Sequence, residues 1–164
     1  MAAANAHEFQ ALRLQALCEY PKAFGATYLE ERDGPWSSFS QRFEAEWISG
    51  DNMILGAFVH GRLVGSLGFR RWSREKQRHK GYIWIFYVAP DVRGRGIGTS
   101  LFRTALRYTR ALPGLEQLQL SVAAEGRTAQ SLYTSFGFES YGRERRALIE
   151  DRYVDTELMA LHLE

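Results

Sequence analysis

The stretch that decides the fold is YIWIFYVAPDVRGRGIGTSL, residues 82–101. Its first seven residues, 82–88, are all aromatic or β-branched, which predicts a strand buried on both faces. A loop with three glycines follows, and from residue 97 to residue 112 apolar side chains recur every three or four positions. This spacing predicts a helix that leaves the loop directly and ends at Pro113-Gly114.

The glycine-rich loop, residues 90–98, has the chemistry of an anion-binding site. Glycine takes up positive φ and lets the backbone approach a ligand without a Cβ clash. The free amides at a helix start and the positive end of its dipole both favour negative charge. Arg93 and Arg95 add positive charge. We therefore predict that this loop binds a pyrophosphate.

Other phosphate-binding loops fit the spacing less well. A P-loop requires glycine, lysine and a hydroxyl residue in a row, whereas this chain has Gly98-Thr99 without a lysine. A Rossmann loop requires G-x-G-x-x-G close behind its strand, whereas here the spacing is G-x-G-x-G. Glu125, after the next strand, could imitate the ribose-binding acid of that fold. A glycine-rich turn without a ligand is the remaining alternative.

The segments on either side of this stretch complete one α/β domain over residues 1–164. Apolar spacing and turn residues predict helices over 9–17, 38–47 and 129–136, a hairpin of strands 53–59 and 62–69 joined through His60-Gly61, a strand over 118–122, and final strands near 145–149 and 157–163. No repeat or low-complexity segment interrupts this order.

Composition limits the class of protein. The chain has 164 residues, 45% of them hydrophobic and 24% charged, as in an ordinary soluble domain. A formal net charge of +2 does not by itself imply a nucleic-acid partner, and we expect none. Cys18 is the only cysteine, so we expect neither a disulfide nor a cysteine-bound metal. The start lacks a signal peptide and no apolar run approaches the ~18 residues of a membrane span, so a cytoplasmic protein is expected, with no membrane partner.

Two separate motifs resemble the GNAT superfamily of N-acetyltransferases. The acetyl-CoA loop of that family reads Gln/Arg-x-x-Gly-x-Gly/Ala, and Arg93, Gly96 and Gly98 fill it. Downstream, the family often carries Asn-x-x-Ala-x-x-Leu-Tyr-x-x-x-Gly-Phe. This chain matches the second pattern at Ala129, Leu132, Tyr133, Gly137 and Phe138.

The resemblance implies a mixed, largely antiparallel sheet flanked by helices and splayed open between the family's fourth and fifth strands, here residues 82–88 and 115–122. Acetyl-CoA would bind in that gap as the co-substrate. The cofactor-binding residues that the resemblance implies are Tyr87, Val88, Arg93, Gly94, Arg95, Gly96, Ile97, Gly98, Thr99, Gly126 and Ala129. No metal is implied.

Two departures from the family pattern affect this expectation. The family's asparagine falls on Gly126, so its contact to the cofactor is either missing or supplied by backbone. The first strand of the family precedes the first helix, but residues 1–7 leave little room for it. We expect that strand to be short or missing: either the start is truncated or the sheet has one strand fewer, which would expose a sheet edge and permit a homodimer.

Tyr133 is the predicted general acid. A phenol with an ordinary pKa near 10 is protonated at neutral pH and can donate to a departing thiolate. Packing on the apolar face of its helix is the alternative role for Tyr133. The amide of Val88 is expected to meet the acetyl carbonyl.

The general base is left open by the sequence. Many family members have a glutamate six residues before Val88, where this chain has Tyr82. A water relay, His79, Glu75 or a carboxylate from the C-terminal strands remain candidates. Without a strong base, a low-pKa α-amine of a peptide or small molecule is favoured as acceptor over a lysine.

Three further features have two interpretations each. The basic segment 70–80 could bind an acidic substrate or nucleic acid, although a solvated loop is the simpler interpretation. Trp36, Trp47, Trp72 and Trp84 could line a pocket or belong to the core. The chain as a whole could also be a GNAT-like acyl-CoA sensor without turnover.

Overall fold

The protein is described by a computed structural model over residues 5–34 and 51–163. The predicted helix at 38–47, with Trp36 and Trp47, lies outside these residues, as do residues 1–4. Helix α1 (Ala6–Glu19) is followed by a 3₁₀ turn (Pro21–Ala23) and by α2 (Tyr28–Asp33). Within the described part α1 comes first, so the prediction of a short or missing first strand stays a prediction.

The predicted hairpin is confirmed as β1 (Asn52–Val59) and β2 (Arg62–Arg71). His60 and Gly61 both have positive φ, 49° and 79°, which is the backbone that a tight two-residue hairpin turn requires. The two strands pair antiparallel from Asn52–Arg70 to Val59–Arg62. β1 forms one edge of the described sheet.

The predicted buried strand is β3 (Lys80–Val88). Its side chains alternate between buried and half-buried instead of being buried throughout, and residues 82–88 of both kinds line the cleft described below. Ile85 has a positive φ of 50°, and the β2–β3 register shifts between Ser66 and Gly68. This β-bulge places Ile83 with the core on one side of the sheet, and Ile85 and Tyr87 with the core on the other side.

The sheet opens between β3 and β4 (Gln117–Ala123). These parallel strands pair only from Lys80–Gln117 to Tyr82–Gln119 and share no further pairs. β4 continues on its other side into β6 (Tyr153–His162), and β6 into β5 (Glu139–Ile149), both antiparallel. The order of the six described strands is therefore β1-β2-β3-β4-β6-β5, with the predicted splay between β3 and β4.

Helices cover both faces of this sheet. α3 (Ile97–Arg110) buries Leu101, Phe102, Ala105 and Leu106 on one face, and α4 (Arg127–Ser135) adds Tyr133 there. α1 buries an apolar stripe of Phe9, Leu12 and Ala16 on the other face. Each large apolar side chain so buried contributes roughly 1.5–3 kcal/mol. These two layers hold the separated halves of the sheet in place.

Candidate functional site: a cleft through the open sheet

A cleft lies at the gap between β3 and β4 and is lined from both faces of the sheet, by α1 on one and α4 on the other. Its walls come from the strands β3 and β4, the glycine-rich loop, the end of α1, the helix α4 and the β5–β6 hairpin. The cleft exists because β3 and β4 diverge after the pair Tyr82–Gln119, which leaves a gap between the two strands. Of the predicted cofactor-binding residues, the structure brings Tyr87, Val88, Arg93, Gly94, Gly96, Ile97, Gly98, Thr99, Gly126 and Ala129 to it; Arg95 does not line it.

The glycine-rich loop presents a row of free amides to the cleft. Gly94 and Gly96 have φ of 74° and 76°, a left-handed backbone that favours glycine. Gly96 precedes α3, and the first amide bonded back into this turn is that of Ser100, 2.9 Å from the Gly96 carbonyl oxygen. The amides of residues 94–99 donate to no other described residue. This arrangement is suited to a pyrophosphate.

Gly98 has a different role, which is close packing. A Cβ on Gly98 would lie 3.1 Å from the ring of Phe86 and 3.8 Å from the side chain of Val88. The helix start therefore rests directly against β3. This contact fixes the free amides of the loop relative to the end of the strand.

Val88 directs its backbone into the gap. The amide of the next residue, Ala89, donates to the carbonyl of Val64 on β2 at 2.8 Å. Neighbouring residues of an antiparallel ladder point their backbone groups in opposite directions, so those of Val88 face away from β2. Its carbonyl accepts a hydrogen bond from Nε of Arg93 at 2.8 Å.

The guanidinium of Arg93 bonds to the end of α1 and not to the glycine-rich loop that would hold the anion. It donates to the Tyr20 hydroxyl at 2.6 Å and to the Glu19 carboxylate at 3.3 Å. It also lies 5.2 Å from the centre of the Tyr20 ring and 5.6 Å from that of Tyr87. Arg93 thus joins the end of β3 to the end of α1, a contact that the sequence motif alone did not indicate.

Tyr133 lines the cleft from α4. Its ring packs against Phe102 and Phe86 at centroid distances of 5.3 and 6.0 Å. Burial raises the pKa of Tyr133, with a smaller effect from Tyr82, so its hydroxyl keeps its proton at neutral pH. No described residue accepts a hydrogen bond from that hydroxyl. Both predicted roles of Tyr133, packing and proton donation, are thus compatible with its place.

The turn before α4 is held by a residue that the sequence analysis missed. Gly126 precedes the helix, and a Cβ there would lie 3.0 Å from the Ala123 carbonyl oxygen. The side-chain amide of Gln130 donates to the carbonyls of Ala123 and Ala124, both at 3.0 Å. Gln130 lies inside the motif at a position that the family pattern leaves free, so no motif signal identified it.

The candidate bases divide into two groups. His79 and Glu75 do not line the cleft, whereas Glu144, a carboxylate from the C-terminal strand β5, does. Glu19 and Glu125, which the sequence analysis did not name as bases, also line it. Glu125, the residue that could imitate a Rossmann acid, instead accepts two hydrogen bonds from Arg152 at 2.9 and 3.0 Å. The single parallel strand pair also excludes a Rossmann sheet in the described residues.

The basic segment 70–80 is partly neutralised within the fold. Arg71 donates to Asp51 at 3.2 Å and to the Pro113 carbonyl at 2.8 Å, and only 8% of its side chain is exposed. Arg78 pairs with the same Asp51 at 2.5 Å. These contacts support the simpler interpretation, a structural loop.

Trp84 lines the cleft, whereas Trp72 is exposed beside Tyr82.

The comparisons with known proteins agree with this geometry. Residues 14–138 match the acetyltransferase (GNAT) family. N-alpha-acetyltransferase RimI of Mycobacterium tuberculosis is 34% identical over 114 residues, which cover 70% of this chain and 68% of that protein. Because the family match spans more than half of the chain, the chain belongs to the acetyltransferase (GNAT) family.

Further relatives extend the comparison. A mycothiol acetyltransferase of Pseudarthrobacter chlorophenolicus is 30% identical over 107 residues, or 62% of this chain, which spans about a third (32%) of that longer protein. A GNAT-family acetyltransferase from Streptococcus pneumoniae has the same fold, with a TM-score of 0.87 and 22% identity over 100% of this chain and 96% of that chain. The Salmonella typhimurium protein yncA, solved with its cofactor acetyl-CoA, has a TM-score of 0.86 and 18% identity over 100% and 91% of the two chains.

No helix in residues 5–34 and 51–163 is long and apolar enough to cross a membrane. In the same residues no group of three or more histidine, cysteine or acidic side chains could hold a metal ion.

Proposed function

We propose that this acetyltransferase moves the acetyl group of acetyl-CoA directly to a primary amine, with both substrates in the cleft at once. The observation that carries the proposal is the cleft itself, which is lined by the glycine-rich loop with its free amides, by Tyr133 and by the end of α1. Its volume of about 1720 Å³ exceeds the roughly 300–1,000 Å³ of a pocket for one small molecule.

The residues around the loop fit acetyl-CoA. Free amides from Gly94 to Thr99 suit its pyrophosphate, and the backbone of Val88 faces the gap where the acyl arm would lie. Acetyl-CoA supplies an acetyl group already activated as a thioester. The amide of Val88 would donate to the acetyl oxygen, where negative charge develops.

Tyr133 would donate a proton to the departing sulfur of coenzyme A. The nitrogen lone pair forms the new C–N bond while the C–S bond breaks, and the sulfur takes up a proton from the Tyr133 hydroxyl. The nitrogen loses a proton to water in the open cleft, and the tyrosine regains one from water. Because burial raises the pKa of Tyr133, the hydroxyl is present as a donor over the whole neutral range.

Replacing Tyr133→Phe tests this assignment. We expect kcat to fall roughly 100-fold, the lower end for loss of a general acid, while the Kd for coenzyme A stays within about twofold. Free-thiol release with a responsive amine measures kcat, and calorimetry measures the Kd for coenzyme A. Tyr82→Phe is the matched control, since it removes another hydroxyl from the same cleft. Equal kcat values in the two variants would exclude Tyr133 as the acid.

A panel of amines tests the acceptor class. Deprotonation at pH 7 costs about 1 kcal/mol for an α-amine but about 4.6 kcal/mol for a lysine. We therefore propose an α-amine of a peptide or small molecule as the acceptor and expect faster thiol release with α-amino compounds than with Nε-amines. Coenzyme A binding without thiol release from any amine would favour a sensor without turnover instead.

A further inference from the structure

Every nitrogen of the Arg93 guanidinium has a partner within the protein. Nε donates to the Val88 carbonyl at 2.8 Å, Nη1 to the Tyr20 hydroxyl at 2.6 Å, and Nη2 to the Glu19 carboxylate at 3.3 Å. The rings of Tyr20 and Tyr87 lie 5.2 and 5.6 Å from its central carbon. A planar guanidinium held at all three nitrogens has one orientation, which the ammonium of a lysine cannot reproduce.

The end of β3 is held by backbone pairing on one side only. Its pairing with β4 stops at Tyr82, whereas its pairing with β2 continues to Val88. The backbone groups of Val88 face the gap, because the next amide, that of Ala89, bonds to β2. The bond from the Arg93 side chain therefore holds the strand end on the side of the gap.

The other end of this link is the start of a cleft wall. Glu19 is the last residue of α1, and Tyr20 follows it directly. The chain then continues into the wall segment, residues 20–25, all of which line the cleft. Arg93 thus ties the beginning of the wall segment to the end of β3.

The glycine-rich loop has supports that do not involve the Arg93 side chain. Two backbone hydrogen bonds of 3.2 Å close the 3₁₀ turn Pro90–Val92 that leads into the loop. Arg62 of β2 also pairs with Asp91 in this turn, and neither of these two residues lines the cleft. We therefore expect the free amides of the loop to keep their place when the Arg93 side chain is changed.

We propose that Arg93 is a positioning residue for acetyl transfer and not a ligand of the cofactor's phosphates. This inference rests on the proposed function, because it assumes an acetyl group at the Val88 amide and an amine in the same cleft. The guanidinium fixes the strand end that holds the acetyl group relative to the wall segment. A misplacement of reactants by about 1 Å can cost roughly 100-fold in rate, so the link acts on kcat.

Arg93→Lys tests the link, because it keeps the positive charge and loses the planar fork. We expect kcat for thiol release with the most reactive amine to fall roughly 10- to 100-fold, while the Kd for coenzyme A stays within about twofold. Arg62→Lys is the matched control, the same change at the same turn, and should retain kcat. An unchanged kcat in Arg93→Lys would overturn the proposal.

Arg93→Met distinguishes positioning from phosphate binding, because it also removes the charge. We expect a loss of kcat at least as large as in Arg93→Lys, again with the Kd for coenzyme A within about twofold. Calorimetry measures this Kd. A Kd raised roughly tenfold or more, which a lost phosphate contact would produce, would overturn the proposal.

Tyr20→Phe tests the link from the α1 end and is the mildest variant, since it removes one hydroxyl and keeps the ring. We expect kcat to fall severalfold. Because both residues act through one guanidinium, the double variant with Arg93→Lys should be little slower than Arg93→Lys alone. Losses that multiply in the double variant would show that Tyr20 and Arg93 act independently and would overturn the link.

The amide resonance of Val88 gives a measurement that needs no turnover. In the NMR spectrum of the coenzyme A-loaded protein, it should move in Arg93→Lys and in Tyr20→Phe but stay in place in Arg62→Lys. A resonance that stays in place in the first two variants would overturn the positioning role, whether or not any amine reacts. If no amine releases thiol, the proposed function fails, and a moved resonance still supports the link.

Discussion

At the scale of single residues, the site depends on backbone conformations that few side chains permit. Gly94 and Gly96 have left-handed φ, and a Cβ on Gly98 would lie 3.1 Å from the ring of Phe86. The motif identified all three glycines, because glycine is visible in a sequence. It did not show that the Arg93 side chain would contact α1, since that contact joins residues 73 and 74 positions apart.

Gly96→Ala tests the loop at this scale. Gly96 and Gly61 have φ of 76° and 79°, so replacing either one by alanine places the alanine in the left-handed region. This conformation costs roughly 1 kcal/mol of stability. Gly61 is the matched control in the β1–β2 turn, away from the cleft. Only Gly96→Ala should also raise the Kd for coenzyme A, by roughly tenfold as amides shift away from the anion. Calorimetry measures the Kd for coenzyme A, and urea unfolding measures the loss of stability. Equal Kd values would reject the loop as the pyrophosphate site.

At the scale of elements, α3 connects the loop to the core. Phe102 is fully buried, and its ring lies 5.2–5.8 Å from those of Phe86, Tyr133, Phe136 and Phe138. The apolar spacing predicted this helix correctly, because one face carries all the large side chains. β5 was predicted only near residues 145–149, although it begins at Glu139. As an edge strand with mostly exposed residues it has no apolar alternation to detect.

Phe102→Ala should therefore destabilise the whole protein. We expect a loss of about 3–5 kcal/mol in the free energy of unfolding, the usual cost of removing a buried phenylalanine ring. Phe58→Ala on β1, where the side chain is 46% exposed, is the control and should cost about 1 kcal/mol or less. Urea unfolding with an unchanged m-value measures both. A loss below about 1.5 kcal/mol at Phe102 would mean that α3 is not held by this aromatic cluster.

At the scale of the whole molecule, the open sheet needs both helix layers. The pairing of β3 and β4 over three residues leaves little hydrogen bonding to hold the two halves together. The apolar cores on the two faces supply the remainder, and Tyr133 belongs to the core that crosses the gap. Residues that form the cleft thus also stabilise the fold.

This shared role predicts a loss of stability at high pH. Burial raises the folded-state pKa of Tyr133 above the value near 10 of an unfolded tyrosine. Its contribution is complete below pH 10 and declines as pH rises towards the folded pKa, by up to about 1.4 kcal/mol per pH unit. Urea unfolding at pH 9 and pH 10.5 should show the decline, and Tyr133→Phe should make it shallower. An identical decline in the variant would show that other tyrosines account for it, Tyr87 and Tyr108 among them.

The sequence by itself determined the family, the order of most elements and the loop with its three glycines. Those features are local, because periodicity, turn residues and motif spacing are set by neighbours along the chain. A single domain, the first strand and a homodimer stay predictions. Only the tertiary structure decided that Arg93 joins Glu19 to Val88, that Glu19 and not His79 or Glu75 lines the cleft, and that the buried Tyr87 hydroxyl lies beside Glu19. Such contacts bring together segments far apart in sequence, and packing across the open sheet sets them.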